Sequence, residues 1–379
     1  MLRFIPAILD RLREEDRTDE AEKLRASLGG EAYYALLLMD GDRMGAWLAA
    51  QEPAKGEPEL RLPLERVLHP DIATGVRDYA PGREVAEYLN LFRPASLSRH
   101  AAISSALNHF AGTVARHVVE RSCRGRLIYA GGDDVLAMLP VEDLLNAIGW
   151  LRSCYSGEVI SGISLPKDFW VNSGFWQAQT EQRNEWRPCG PLLRMMGSKA
   201  TASFGAVIAH HQTPLSLVLR RLREAEQDAK GHGRNAFAIR TMKRAGGETT
   251  FVAGFQPSAT DDVSSLSVLM RLRAWLGADG VSRRAVYHSL RWLRELPEFN
   301  VAQGRALVET NLAAQLLRQC SADSSAATRG QVPTLARDLI RATTSSQDCF
   351  AALQSMLITA EFLARETRQS DVESTEGGC

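Results

Sequence analysis

The sequence predicts an α+β fold followed by an all-α half, and three observations predict it. Short apolar runs of strand length alternate with amphipathic helical stretches as far as about residue 245. Two of these runs end in carboxylates beside glycine, Asp40-Gly41-Asp42 and Gly131-Gly132-Asp133-Asp134. Beyond Gly246-Gly247 and the stretch Gly254 to Asp262, apolar residues recur at helical spacing almost throughout.

In chain order, residues 1–28 read as an N-terminal helical lead-in, with Leu9, Leu12, Leu24 and Leu28 as an apolar stripe among charges of mixed sign. Tyr33 to Met39 is a strand too continuously apolar for a wet sheet edge. Met44 to Leu48 starts a short helix. Residues 51–99 are Pro-rich and irregular and read as an insertion. Residues 101–121 carry Ile103, Leu107, Phe110, Val114 and Val118 at helical spacing, with Ser98 as a candidate cap. His109 and His117 fit surface or packing roles there better than ligation. Two strands flank the second acidic turn, from Leu127 to Ala130 and from Val135 to Leu139. A helix then follows Pro140.

Residues 154–200 form a second, loop-rich insertion. Its Phe169, Trp170, Phe175, Trp176 and Trp186 suit a small satellite core better than base stacking. Thr201–Ala209 is a strand, Pro214–Lys230 a helix, and Ala236–Ile239 a final strand. The order β, α, β, β, α, β, α, β gives a ferredoxin-like mixed sheet with helices on one side. This domain spans 29–247. Helices at 263–276, 284–295, 302–319, 330–342 and 346–366 make a separate bundle over 262–367, and 368–379 is a disordered tail.

Composition bounds the function. The 379 residues suffice for two domains, and 45% hydrophobic with 24% charged residues is a globular balance. Forty-five basic residues against 45 acidic ones argue against a free-standing, non-specific nucleic-acid binder. The six cysteines are scattered with no CxxC pair, which argues against a zinc ribbon and fits a reducing cytosol. No signal peptide and no membrane-spanning run is legible, so a cytoplasmic protein is expected.

The acidic turns carry the chemistry. Gly-Gly-Asp-Asp by itself is also an ordinary surface hairpin. Two neighbouring strands that each deliver acid at one end can instead share hard divalent cations, which need several oxygen ligands. Phosphoryl transfer uses that arrangement: one cation helps deprotonate a 3′ hydroxyl, and a second neutralises the triphosphate and leaving pyrophosphate. Lys230 and Arg234 could neutralise phosphate, or simply form the cationic end of a helix.

On Met39-Asp40-Gly41-Asp42-Arg43-Met44-Gly45, Ser96 to His100, Gly131-Gly132-Asp133-Asp134 and the stretch from Phe204 through His210 to Asn235, the chain resembles the palm polymerase/cyclase portion of the large subunit of type III CRISPR effector complexes, above all the III-B form. The resemblance covers roughly residues 30–245. It implies a ferredoxin-like palm of the nucleotidyl cyclase/polymerase type. The implied activity is synthesis of cyclic oligoadenylates from ATP with Mg2+ or Mn2+, two per site. The implied partners are the other subunits of such a complex, guide RNA and target RNA.

The resemblance makes Asp40, Asp133 and Asp134 the catalytic and metal-binding residues. It places Gly41, Asp42, Gly45, Ser98, His100, Gly131, Gly132, Lys230, Arg234 and Asn235 around the nucleotide. Full-length members carry an N-terminal region, often with an HD nuclease motif, a further palm-like domain and a cysteine zinc site. None of these is visible here, which argues against DNA cleavage and suggests a natural short form, a truncated chain or one piece of a split subunit. Two alternatives stay open: a homodimeric cyclic-dinucleotide synthase, and a catalytically silent nucleotide-binding scaffold. Templated polymerisation is disfavoured by the neutral charge balance.

Overall fold

A computed structural model describes residues 33–50, 52–53, 59–61, 63–79, 83–182, 185–256, 263–295, 301–322, 324–343 and 348–376. The helical lead-in expected over 1–28 lies outside the described residues. The first half contains β1 (Tyr33–Gly41), α1 (Met44–Ala49), α2 (Pro70–Tyr79), α3 (Arg83–Asn90) and α4 (Leu97–His109). It continues with β2 (Arg126–Gly131), β3 (Asp134–Leu139), α5 (Leu144–Ser156), β4 (Phe169–Asn172), β5 (Phe175–Gln182) and β6 (Glu185–Arg194). Then come β7 (Ala202–His210), α6 (Leu215–Gly231), β8 (Ala236–Met242) and β9 (Glu248–Gly254). The helical end comprises α7 (Ser265–Gly277), α8 (Arg284–Glu295), α9 (Val301–Leu317), α10 (Ala326–Gly330), α11 (Val332–Thr343) and α12 (Cys349–Glu376).

The main sheet has the order β2-β3-β1-β7-β8-β9. All its pairings are antiparallel except β7 with β8, which α6 joins as a crossover. β1 is central, paired with β3 on one side and β7 on the other. Its side chains alternate between two buried faces. Ala35, Leu37 and Met39 join the main core with Phe110, Val114 and Ile148, while Leu36 packs with Val207 beneath Val218 and Leu222 of α6. Helices therefore cover both faces of the sheet, not one. β7, buried at every position, shows why: its near-continuous apolar run suits a strand with no wet face.

The two insertions are more ordered than their composition suggests. Within 51–99 lie α2 and α3. Within 154–200, β4, β5 and β6 form a separate antiparallel sheet. Its aromatics divide: Phe169 and Trp176 are buried, whereas Trp170 and Trp186 are exposed. His117 anchors this sheet to α4's continuation, with Nε2 3.0 Å from Asp168 and its ring edge-on to Phe169 and Trp176. That continuation runs from Phe110 to Ser122 through two π-helical segments. Ser96, not Ser98, caps α4, accepting from the Arg99 N–H at 3.3 Å.

Gly246-Gly247 is not a domain boundary but the turn of the β8–β9 hairpin, with φ of 87° and 89°. β9 adds a strand to the sheet edge beyond the expected end of the domain at 247. The bundle is not separate either: Phe251 and Phe255 share one continuous core with Leu266, Leu269, Phe362 and Leu363. α12 extends to Glu376, into the stretch expected to be a tail; no Gly or Pro interrupts it there.

Candidate active site

The two acidic turns meet at one end of the sheet. Met39 pairs with Val135 in the β1–β3 ladder, so the next step outward places Asp40 opposite Asp134. Their carboxyls lie within hydrogen-bonding reach. The β2–β3 connection is a two-residue turn between the Gly131–Asp134 pair, and Gly132 takes the φ of 64° that it requires. Asp133 folds back over Gly41: a Cβ there would sit 2.7 Å from Asp133 Cβ and 2.9 Å from its Oδ2, and would strike the Tyr155 hydroxyl. Glycine at position 41 is what lets the turns approach.

This crowding of like charge changes protonation. Burial, with the hydrogen bond to Asp40 and the charges of Asp40 and Asp133, pushes Asp134 up to about 6. Burial and the Asp40 charge raise Asp133 as well. Burial by itself would lower the Lys230 ammonium, but hydrogen bonds to Asp40 and Glu226 carry it above its ordinary value. Lys230 Nζ lies 2.8 Å from Asp40 Oδ2 and also pairs with Glu226 one turn earlier on α6. The lysine expected near a triphosphate thus stands directly beside the first-strand carboxylate.

Asp42 departs from its expected role at the nucleotide. It is buried, and its carboxylate accepts from Thr201 Oγ1 at 2.7 Å, Ser203 Oγ at 2.7 Å and the Asn235 N–H at 2.8 Å. A carboxylate so engaged is a strap between the ends of β1 and β7 and the α6–β8 turn. Asn235 is the other half of that strap. Its carbonyl accepts from Phe255 N at 2.9 Å, and its side-chain oxygen accepts from Arg152 Nε at 2.8 Å. Those contacts hold Gly233, Arg234 and Asn235 at φ of 94°, 67° and 45°. For Arg234 and Asn235 this left-handed backbone costs energy that the surroundings must supply. Arg152 is buried on α5; burial lowers its guanidinium to about 10, against the opposing pull of Asp42.

Two further expected pocket residues, Ser98 and His100, lie in the first turn of α4. His100 Nε2 lies 2.8 Å from the Leu48 carbonyl, and Ser98 accepts from Arg93 at 2.9 Å. His100 thereby meets α1, whose exposed Gly45 has open space around it. Thr201, Ser203, Arg152, Tyr155 and Glu226 were not singled out from the sequence. Arg152 was findable, since a lone cation in an apolar helix needs a buried partner. So were Thr201 and Ser203, two hydroxyls at the period that puts both on one strand face.

The donor chemistry of Asp40 and Asp134, hard oxygens on facing strand ends, fits a divalent cation. Among the described residues, no three His, Cys, Asp or Glu side chains converge closely enough to hold one. The pair would therefore rely on further oxygens from substrate, backbone or water.

A mixed sheet with helices on both faces and acids at one end of its central strands defines a palm domain. The family described as Cas10/Cmr2, second palm domain, matches residues 33–238, and the chain belongs to it. It is 29% identical over 271 residues to the CRISPR system Cmr subunit Cmr2 of Pyrococcus furiosus, covering 71% of this chain and 25% of that protein. It is 31% identical over 120 residues to Cmr2 of Saccharolobus solfataricus, covering 32% and 10%. The chain thus spans about a quarter or less of the length of these curated relatives. A solved type III-B Cmr-beta complex bound to cognate target RNA contains a chain of similar fold, with TM-score 0.51, 19% identity, and coverage of 82% of this chain and 37% of that one.

Proposed function

We propose that this chain is a metal-dependent nucleotidyltransferase that makes cyclic oligoadenylates from ATP, acting in the cytoplasm as the signalling palm of an RNA-guided type III CRISPR complex. Membership of the Cas10/Cmr2 family supports the reaction class and the partners: other effector subunits, guide RNA and target RNA. The observation that carries the site is Asp40 against Asp134 across adjacent strand ends, with Lys230 beside them. Asp40 and Asp134 would hold Mg2+ or Mn2+, with Asp133 as a further ligand or water-positioner. The cation, when bound, lowers the charge cost of attack by a 3′ hydroxyl on an α-phosphate.

The chain's own residues do the rest. Gly131 and Gly132 keep the turn low so that a nucleotide can lie over it. Lys230 exchanges Asp40 for the β- and γ-phosphates, and Arg234, held in its strained turn by Asp42 and Asn235, faces the same phosphates. Ser98, His100, Gly41 and Gly45 border the base or ribose. The unit proposed to do this is the palm at 29–247 with β9 added, docked on the helices of 262–367.

The test is incubation of the chain, alone and reconstituted with its complex and target RNA, with labelled ATP and Mn2+. Metal-dependent oligoadenylate, lost in Asp133→Ala, Asp134→Ala, supports the reading; an activated assembly that makes no such product contradicts it. A dominant cyclic dinucleotide from a homodimer would move the assignment to that class. The second reading is the silent scaffold, a palm that binds nucleotide without turning it over. Tight ATP binding without pyrophosphate release would decide for it.

A further inference from the structure

β1 carries carboxylates at one end and begins, at the other, on the floor of a basic cavity. Tyr33 and Asp40 are seven residues apart on this strand, about 23 Å at ~3.3 Å per residue. The cavity, of about 410 Å3, is lined by Tyr33, Lys243, Arg244, Ala245 and Arg365. Its cations come from two elements that the fold brings together. Lys243 and Arg244 sit in the β8–β9 turn, and Arg365 lies on α12 of the bundle.

The turn is pre-set. Lys243 N–H donates to the Gly247 carbonyl at 3.1 Å, Gly246 N–H to the Lys243 carbonyl at 3.0 Å, and Arg244 N–H to the Tyr33 hydroxyl at 3.0 Å. The Tyr33 ring is itself fixed edge-on between His210 and Phe362, with centroids 5.4 and 5.0 Å away. Arg365 stacks its guanidinium over Phe362 at 4.8 Å. Three cations therefore surround one opening on an ordered turn and helix, so little backbone freedom is left to lose on binding.

The counter-charge is short. Arg365 pairs with its neighbour Glu366 at 3.1 Å, but among the described residues no carboxylate pairs with Lys243 or Arg244, and none lines the cavity. A nearby side chain registers the same field: His210 is lowered by burial and then by the charges of His211 and Arg244. In a chain with formal net charge of zero, this is a local positive site and not an overall excess. Guanidinium and ammonium groups around an open cavity match phosphate oxygens.

We propose that this cavity is a phosphate-binding site, separate from the acidic turns, which takes a phosphate of a free nucleotide or of a nucleic-acid strand. The assignment does not depend on nucleotidyl transfer, and a chelator separates the two. The test measures binding of a labelled single-stranded ten-nucleotide RNA to the full chain in EDTA, with ATP and pyrophosphate as competitors. The variants are Lys243→Glu with Arg244→Glu, both exposed and in a turn, and separately Arg365→Gln. The expected result is affinity at least tenfold weaker in the double variant, with an unchanged thermal midpoint, and a smaller loss in Arg365→Gln. Three phosphate contacts would also weaken wild-type binding about 20-fold between 50 and 200 mM salt. Competition by ATP at similar concentration assigns a nucleotide phosphate, and binding of the strand with weak competition assigns a strand phosphate. No binding by wild type, or equal affinity in wild type and both variants, overturns the proposal.

Discussion

Asp42 and Asp40 are two residues apart, yet they are predicted to respond oppositely to the same change. Asp42→Asn keeps the shape of the side chain and removes its charge. The carboxylate accepts three short hydrogen bonds, from Thr201, Ser203 and Asn235 N–H. Bonds to a charged acceptor contribute about 1.5–3 kcal/mol each, neutral ones about 0.5–1.5. If the amide oxygen keeps the Thr201 and Asn235 donors, two bonds drop by about 1 kcal/mol each. Ser203 must turn its hydroxyl to accept, and the buried Arg152 loses the negative charge that most favours its cation. The sum is about 2–4 kcal/mol, or roughly 5–15 °C in thermal midpoint for a domain of this size. Asp40→Asn breaks only a half-exposed pair with Lys230 and relieves repulsion with Asp134, so its cost is about 0–1 kcal/mol. Thermal and urea unfolding of both variants without metal is the assay. An Asp40→Asn loss equal to or larger than that of Asp42→Asn would refute the division between a strapping and a reacting carboxylate.

The remaining predictions concern the same turns. Gly41→Ala puts a methyl against Asp133 and the Tyr155 hydroxyl, and is expected to cost about 1–3 kcal/mol and abolish turnover. Gly132→Ala meets no atom within 4 Å and carries only its positive-φ penalty of about 1–2 kcal/mol; differential scanning calorimetry reads both costs. Asp134 holds its proton more tightly folded than unfolded, so its contribution to stability is present below about pH 4 and is lost as pH rises through about 6. The thermal midpoint of metal-free wild type should fall over that window relative to Asp134→Asn, and divalent-ion affinity should rise over it. Lys230→Met should leave the fold intact and weaken ATP binding at least tenfold by calorimetry.

The sequence makes the central strands and the meeting of the acids legible for a physical reason. β1 and β3 are short, apolar and bounded by glycine and acid, so register and strand ends are marked by residue type. The insertions are less legible because their stability comes from contacts distant in sequence. β4–β6 is anchored by His117 and Asp168, 51 residues apart, and no local pattern announces such a pair. β9 was hidden by Gly246-Gly247, since the same glycines mark a linker or a hairpin turn and only the partner strand decides. Asp42 reads as a site residue because it closes the first acidic turn, and Asn235 because it ends the helix-to-strand segment that carries the family resemblance. Burial is what turns them into a strap, and burial depends on the Thr201–Ser203 strand packed beside them.

The most direct test of the site is Mn2+ binding to the isolated chain, followed by electron paramagnetic resonance at pH 7.5, for wild type, Asp40→Asn, Asp134→Asn and Asp42→Asn, with and without ATP. Paired carboxylates that grip one ion predict at least tenfold weaker Mn2+ in each of the first two variants, and in Asp42→Asn a site that persists whenever the fold does. Equal Mn2+ affinity in wild type, Asp40→Asn and Asp134→Asn, all folded, would contradict it.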